Sequence, residues 1–448
     1  MIFHQIYTPG IAAYSYIVGC SETKKCVIVD PIRDPKPFVE IIEKSALTVS
    51  GILETHVHAD FVSGAKELKD ATGAPIYSSA MGGKEWLPHY ADEHLKDGDV
   101  LTVGTIDIQA LHTPGHTPEH LCYALYEEVN GERLIFSLLT GDLLFAGDIG
   151  RPDLMGDRAT EILAPKLYES IFQRIVKLPD HVTVYPAHGG GSLCGKSISS
   201  KRSTTIGLEK RENPMLQVRS FEEWYQRLIK DMPKAPPYFS IMKKVNVRGP
   251  KLMREIAPVI SSDLPEDMNR LTVIDTRSQE AIAKGYLPHA FHIPLDSKLV
   301  FWAGWIIPYD EPLLLIVTDK DAAEKAKREL LIIGLDQLKH ITVGYEKDAS
   351  DLWKVTQLHP SELSKSGAQV VDVRSDAEWD SGHIEGATHL SITELATGLK
   401  SDLDKSKPIV TVCGSGHRSM IAASLLKKQG FQDVMSLTGG MNEWKKLQ

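Results

Sequence analysis

Thr55-His56-Val57-His58-Ala59-Asp60-Phe61 stands directly after the short apolar run 51–54. The apolar run predicts a buried strand, so two histidines and an aspartate leave its end on one loop. Three further loops carry the same residue types: Thr113-Pro114-Gly115-His116, Thr140-Gly141-Asp142 and Tyr185-Pro186-Ala187-His188. Three of the four loops follow short apolar strands, so their side chains project from strand ends, where loops converge. Imidazole and carboxylate suit first-row divalent metals such as zinc and iron. Any one of these histidines by itself is readily explained as a turn or core residue satisfied by backbone. Four such loops in this order point to a metal centre.

Upstream of that loop, 13–19 and 26–30 read as paired strands joined by a polar turn at 21–25. Downstream, 215–234 reads as a helical connector, and the proline-rich piece 233–237 as a domain boundary. Beyond it lies a repeat. Val273-Ile274-Asp275-Thr276-Arg277-Ser278 returns as Val370-Val371-Asp372-Val373-Arg374-Ser375. Each copy is followed at equal distance by a glycine (Gly285, Gly382), an alanine (Ala290, Ala387) and a histidine (His292, His389). Each then offers an apolar strand introduced by proline, 312–317 and 408–412, and a helix, 322–331 and 420–428. Strands alternating with helices predict two α/β modules with parallel sheets.

Cys413-Gly414-Ser415-Gly416-His417-Arg418 lies between the last of these strands and helices. Two glycines let successive N–H groups turn inward at a helix N-terminus, forming an anion cradle that stabilises a thiolate. Arg418 adds a fixed charge for an anionic donor such as thiosulfate. Aligned on the prolines, the first copy has Val317 in place of the cysteine and Ala322 in place of the arginine. It is expected to be inactive, with a structural or docking role, and Phe301, Trp302 and Trp305 are either its contact points or its core.

The remaining composition narrows the classes. At 448 residues the chain is too long for one core. A net charge of −9 argues against a nucleic-acid or anionic-membrane binder. Five scattered cysteines without a CxxC pair fit a reducing compartment, and the absence of a signal-like segment makes the cytoplasm the expected location. Cys20, at a strand end, is a candidate exposed redox thiol, whereas Cys26 and Cys122 read as core.

The four metal loops resemble the metallo-β-lactamase superfamily over about residues 1–210. Members usually carry His directly after the aspartate of HxHxD, where it helps hold a second metal. Here that position is Phe61, which favours a mononuclear centre over the two-zinc site of a glyoxalase II-type thioester hydrolase. Within the superfamily the persulfide dioxygenases hold one Fe(II) with two histidines and an aspartate. Carried over by motif, these fall on His56, His116 and Asp142, one iron per chain, with zinc as the alternative. His58, Asp60 and His188 become neighbours that orient ligands or bind substrate, or alternative metal ligands. The stretches 147–153 and 188–196 also resemble the dioxygenase branch fused to rhodanese modules. There Arg151 is a candidate for the carboxylates of glutathione or a coenzyme A-like persulfide, or else an ion pair with Asp153 or Asp148. Cys194 is a candidate for carrying or positioning a persulfide.

The cysteine loop resembles the rhodanese active loop, as do Asp372, Arg374, the run 382–387, Gly439-Gly440 and Trp444. Cys413 would be the nucleophile and Arg418 its partner, with Gly414, Ser415, Gly416 and His417 binding the donor. A related phosphatase cradle is one residue longer. The expected architecture is an αββα metallo-β-lactamase sandwich over 1–235, an inactive rhodanese-like domain over 238–350 and an active one over 355–448. The resemblance implies oxidation of a thiol persulfide by dioxygen, with sulfite and thiosulfate as partners of sulfur transfer. A homo-oligomer is also expected.

Overall fold

The computed structural model of the chain describes residues 1–345, 352–398 and 403–448. Two six-stranded sheets come first, and in each the order in space is the order in sequence. The first holds β1 (Ile2–Thr8), β2 (Ala13–Gly19), β3 (Lys25–Val29), β4 (Thr48–Leu53), β5 (Ile76–Ser79) and β6 (Glu93–Leu95). The second holds β7 (Val100–Val103), β8 (Ile106–His112), β9 (Leu121–Val129), β10 (Glu132–Gly141), β11 (Thr183–Pro186) and β12 (Thr204–Thr205).

Strand side chains alternate between faces, and that alternation sorts the core into layers. Val27 and Val29 of β3 pack with Ile106, Ile108, Tyr123 and Leu125 between the two sheets. Cys122, Ala124 and Leu138 point the other way, onto Ala164, Leu167, Trp224 and Leu228 of the covering helices. The result is the expected α/β sandwich, with the predicted β2–β3 pair antiparallel from Tyr16↔Val29 to Gly19↔Cys26. Strands β3 and β4 run parallel, with Val29 opposite Leu53. Their carboxyl ends therefore bring Asp30 and Glu54 together beside the histidine loop, where ligands gather in parallel α/β sheets.

The first compact unit comprises residues 1–255 with 331–334. It runs past the proline-rich stretch at which the sequence suggested a boundary, because the helix Phe239–Arg248 belongs to the metal loop. Buried Asn246 donates to the carbonyls of His58 and Phe61, both at 2.8 Å, and accepts from the Ser63 N–H at 2.9 Å. The Tyr238 hydroxyl donates to the Asp60 carbonyl at 3.0 Å. The expected connector is two short helices, Pro214–Gln217 and Phe221–Ile229.

The second unit comprises residues 256–330 and 335–448. Its strands are β13 (Val259–Ser261), β14 (Thr272–Asp275), β15 (Phe291–His292), β16 (Leu313–Val317) and β17 (Leu338–Val343). They are followed by β18 (Thr356–Leu358), β19 (Gln369–Asp372), β20 (Thr388–His389), β21 (Ile409–Val412) and β22 (Val434–Leu437). The sheets are ordered β13-β17-β16-β14-β15 and β18-β22-β21-β19-β20, and every pairing is parallel. The repeat in sequence is thus a repeat in topology. Trp302 and Trp305 are buried and Phe301 partly so. The boundary expected at 350 falls outside the described residues. No helix among the described residues is long and apolar enough to cross a membrane.

Replacing Asn246 with Ala leaves two buried carbonyls and one buried N–H without their partner, a loss of about 2–4 kcal/mol. Asn246→Ala is expected to lower the melting temperature by several degrees and to weaken metal retention; an unchanged melting curve would show that the loop holds itself.

Candidate functional site

His56, His116 and Asp142 meet at the end of the sandwich, all buried. Asp142 Oδ2 lies 3.8 Å from His56 Nε2 and 3.5 Å from His116 Nε2. None of these three atoms has a hydrogen-bond partner among the described residues. Buried polar atoms are seldom left so, and three facing one another suit a divalent ion bonded to each.

The outer ring nitrogens fix the tautomers. His116 Nδ1 donates to the Arg151 carbonyl at 2.8 Å, so its Nε2 lone pair faces inward. The Thr55 hydroxyl gives its proton to Asp30 Oδ2 at 2.8 Å, and hence accepts from His56 Nδ1, also at 2.8 Å. Such partners orient metal-binding imidazoles. Burial, reinforced by the His58 charge, holds His56 well below the usual histidine range, and burial likewise lowers His116. Burial works against Asp142 ionising, but the His188 pair outweighs it and holds the carboxyl well below its usual range. Two neutral imidazoles and one carboxylate are a ready ligand set.

The other residues expected nearby occupy a surrounding ring. His58 Nε2 lies 3.2 Å from Asp30 Oδ1 and 3.5 Å from Glu54 Oε2. Burial alone would lower His58, yet the two carboxylates raise it to about 10. It is an ion-paired cation here, and Phe61 stacks on its ring at 4.2 Å. His188 bridges two aspartates, Nδ1 to Asp142 Oδ1 and Nε2 to Asp60 Oδ2, each at 2.7 Å. Burial opposes its charge, but the two carboxylates raise it well above the ordinary value. Cys194 approaches Asp60 and His188 closely enough to share an ion with them. Burial pushes its thiol up, so it is a thiol rather than a thiolate in this arrangement.

One open alternative takes shape and one expectation changes. The Arg151 guanidinium is buried and pairs with Asp153, Nε to Oδ1 and Nη2 to Oδ2 at 2.7 Å each, while Nη1 donates to the Leu193 carbonyl. Of the two readings open to Arg151, the ion pair is the one formed; the residue serves the site through its carbonyl on His116. Cys20 is covered, at 1% exposure, because the Thr105 loop closes over it. Cys26 and Cys122 are core, as expected.

The sequence reading passed over Asp30, Glu54, Thr55 and His120. Asp30 and Glu54 each end an apolar strand, a signal that was legible. His120 Nε2 accepts the Asp142 N–H at 3.1 Å, while its Nδ1 is shared with Thr113. Gly141, at φ +50°, admits this approach: a Cβ there would lie 2.5 Å from His120 Nε2.

A second constellation surrounds Cys413 at the start of the helix His417–Lys428. The Gly416 N–H donates to Cys413 Sγ at 3.2 Å, from a backbone at φ +96°. Arg418 makes two 2.6 Å bonds to Glu378, which pull that carboxyl down to about 2. Gly414 is half-buried, Ser415 exposed and His417 half-buried, so the loop's rim is open. In the other module Asp319 accepts the Ala322 N–H at 2.8 Å, so its own carboxylate takes the place an anion has in such cradles.

Residues 8–188 match the model of the metallo-beta-lactamase superfamily, and 358–447 that of the rhodanese-like domain. A solved metallo-beta-lactamase structure from Staphylococcus aureus is 33% identical, covers 77% of this chain and 99% of its own, and superposes with a TM-score of 0.70. The chain belongs to the metallo-beta-lactamase superfamily. Among its relatives, the mitochondrial persulfide dioxygenase ETHE1 of Bos taurus is 27% identical over 205 residues, 45% of this chain and 74% of that one. Hydroxyacylglutathione hydrolase GloC of Haemophilus influenzae is 32% identical over 217 residues, 44% of this chain and 91% of its own. The superfamily domain is followed by a rhodanese-like one, as the motifs implied.

His116→Ala removes one of three converging donors. Metal content measured after purification is expected to fall to a small fraction of the parent's; full occupancy would mean that these three atoms are not the ligand set.

Proposed function

We propose that the first unit oxidises a low-molecular-weight thiol persulfide to sulfite at a single Fe(II) held by His56, His116 and Asp142, and that Cys413 carries out sulfur transfer in the same pathway. The observation that carries this reading is the set of three orphaned donor atoms, with a phenyl ring at the position where a superfamily hydrolase carries a further metal ligand. There Phe61 stacks on His58 and offers no donor atom. Two histidines and a carboxylate with open positions suit a non-haem Fe(II) oxygenase. The ETHE1 relative and the rhodanese-like domain support the same chemistry.

The overall reaction is RSSH + O2 + H2O giving RSH and H2SO3, with the terminal sulfur oxidised and dioxygen reduced. Iron, when bound, supplies the electrons that activate dioxygen. The protein's part is to keep His56 and His116 neutral and aimed, through Thr55 and the Arg151 carbonyl. His188 keeps Asp142 anionic. Glutathione and coenzyme A-like thiols are the proposed carriers, and the cytoplasm the proposed setting.

At Cys413, the thiolate would attack the outer sulfur of thiosulfate. A Cys413 S–S bond forms, the sulfur–sulfonate bond breaks, and its electron pair leaves with sulfite. The reverse reaction makes thiosulfate. The preceding module, with Val317 and Asp319 in the corresponding turn, is proposed to be an inactive rhodanese-like domain. The GloC relative favours a second reading, zinc-dependent thioester hydrolysis at the same metal site.

Protein purified without oxygen is expected to hold one iron per chain and to consume oxygen with glutathione persulfide. Two zincs per chain with rapid hydrolysis of a glutathione thioester would establish the second reading instead. Cys413→Ser is expected to abolish thiosulfate sulfur transfer yet leave oxygen uptake with a freely diffusing persulfide largely intact, since serine is a far weaker nucleophile. Loss of both activities would mean that they share one site. Val317→Cys in a Cys413→Ser background is expected to restore no transfer, because the cradle and the arginine are still missing; measurable recovery would refute the assignment of that module.

A further inference from the structure

The helix that opens at the Cys413 loop carries a row of contacts to the module without a thiol. His417, Ser424 and Lys428 are spaced seven and four apart, which puts them along one helix face. Lys428 Nζ donates to the His289 carbonyl at 2.5 Å, and the His292 N–H donates to Ser424 Oγ at 3.2 Å. His417 Nε2 lies 2.5 Å from Asp296 Oδ2. The segment 289–296 thus runs antiparallel to the helix, and its last residue arrives where the thiol loop begins.

That last contact differs from the other two. Ser424 and Lys428 lie far along the helix from the loop, whereas His417 is one of the four residues between Cys413 and Arg418. Arg418 is taken up on both terminal nitrogens by Glu378. His417 adds a ring donor to the loop: in its imidazolium form Nε2–H serves Asp296, and Nδ1–H, without a hydrogen-bond partner among the described residues, is left for the anion. An ionised carboxylate only accepts, so Nε2 carries the hydrogen and the ring is held in one orientation. Burial opposes ionisation of Asp296, but the His417 bond and the Lys298 N–H hold it below the usual carboxylate range.

We propose that Asp296, supplied by the module that has no thiol, is a positioning residue for His417, so that the anion-binding rim of the sulfur-transfer loop is built from both modules. The inference rests on the sulfur-transfer reading of Cys413. It gives the silent module a chemical reason to be retained. Its own turn cannot bind an anion, yet its Asp296 sets the face that the anion meets on the neighbouring loop. A carboxylate near an anion site is repulsive unless it is paired, so His417 and Asp296 need each other.

The test uses the full chain with thiosulfate as donor and cyanide as acceptor. A partly exposed charge-assisted bond supports a rise in thiosulfate KM of roughly fivefold to tenfold in Asp296→Ala, with kcat changed less than about threefold. Asp296→Asn, which keeps an accepting oxygen, is expected to recover part of the loss. His417→Ala is expected to match Asp296→Ala, and the double variant to be no worse than His417→Ala alone. An unchanged KM, or effects that multiply in the double variant, would overturn the proposal, the latter because independent docking contacts add.

A second measurement stands apart from sulfur transfer. The rate of Cys413 alkylation by anionic iodoacetate, divided by that for neutral iodoacetamide, is expected to fall several-fold in Asp296→Ala. An unchanged ratio overturns the pairing even if Cys413 is the transfer nucleophile. Full sulfur transfer in Cys413→Ser would instead sink the parent reading, while the alkylation ratio would still report on the pair. Should Asp296→Ala fail to fold, the isosteric Asp296→Asn carries the same test with a smaller shift of the same sign.

Discussion

The metal centre depends on where two protons sit. His116 spends its Nδ1 proton on the Arg151 carbonyl and His56 spends its own on Thr55, whose hydroxyl proton is in turn committed to Asp30. With those positions fixed, both Nε2 atoms face the Asp142 carboxylate as bare, buried acceptors. Much of the unit's construction serves that arrangement. The Arg151 guanidinium is clamped by Asp153 so that its carbonyl stays in place, and Asn246 ties the loop carbonyls from outside.

A shell of charge alternates around the centre. Asp30 and Glu54 enclose the His58 cation, and Asp60 and Asp142 enclose His188. Groups of this kind are costly to bury singly and are tolerated because each has an opposite partner. Cys194 remains a neutral thiol at the edge of this shell, because burial and nearby carboxylates both resist its ionisation.

The second unit builds two different turns on one topology. Its two sheets share a strand order, and in each a helix begins just after the fourth strand of the module. With glycines at 414 and 416, the Gly416 N–H at the helix N-terminus of the last module turns to Cys413 Sγ. In the other copy Asp319 caps its own helix. The residues of the turn, Cys413-Gly414-Ser415-Gly416-His417-Arg418 in one copy and Val317-Thr318-Asp319-Lys320-Asp321-Ala322 in the other, therefore separate an open loop from a self-capped one.

The sequence by itself determined the four His/Asp loops, the departure at Phe61, the repeat and the thiol loop, because each is a local pattern of residue types on short connections after apolar strands; family resemblance singled out His56, His116 and Asp142, which the fold brings together. The expected burial of Cys26 and Cys122 was equally local, being a matter of strand alternation. Tertiary structure alone decided the partners. Asp30 and Glu54 reach His58 only because β3 and β4 pair in parallel and end together. Arg151 met Asp153, Cys20 was covered by a loop 85 residues away in sequence, and Asp296 met His417 across 121 residues. Hydrogen bonds and ion pairs act over a few ångströms, and nothing in the spacing of residues along the chain says which distant groups folding will bring within that reach.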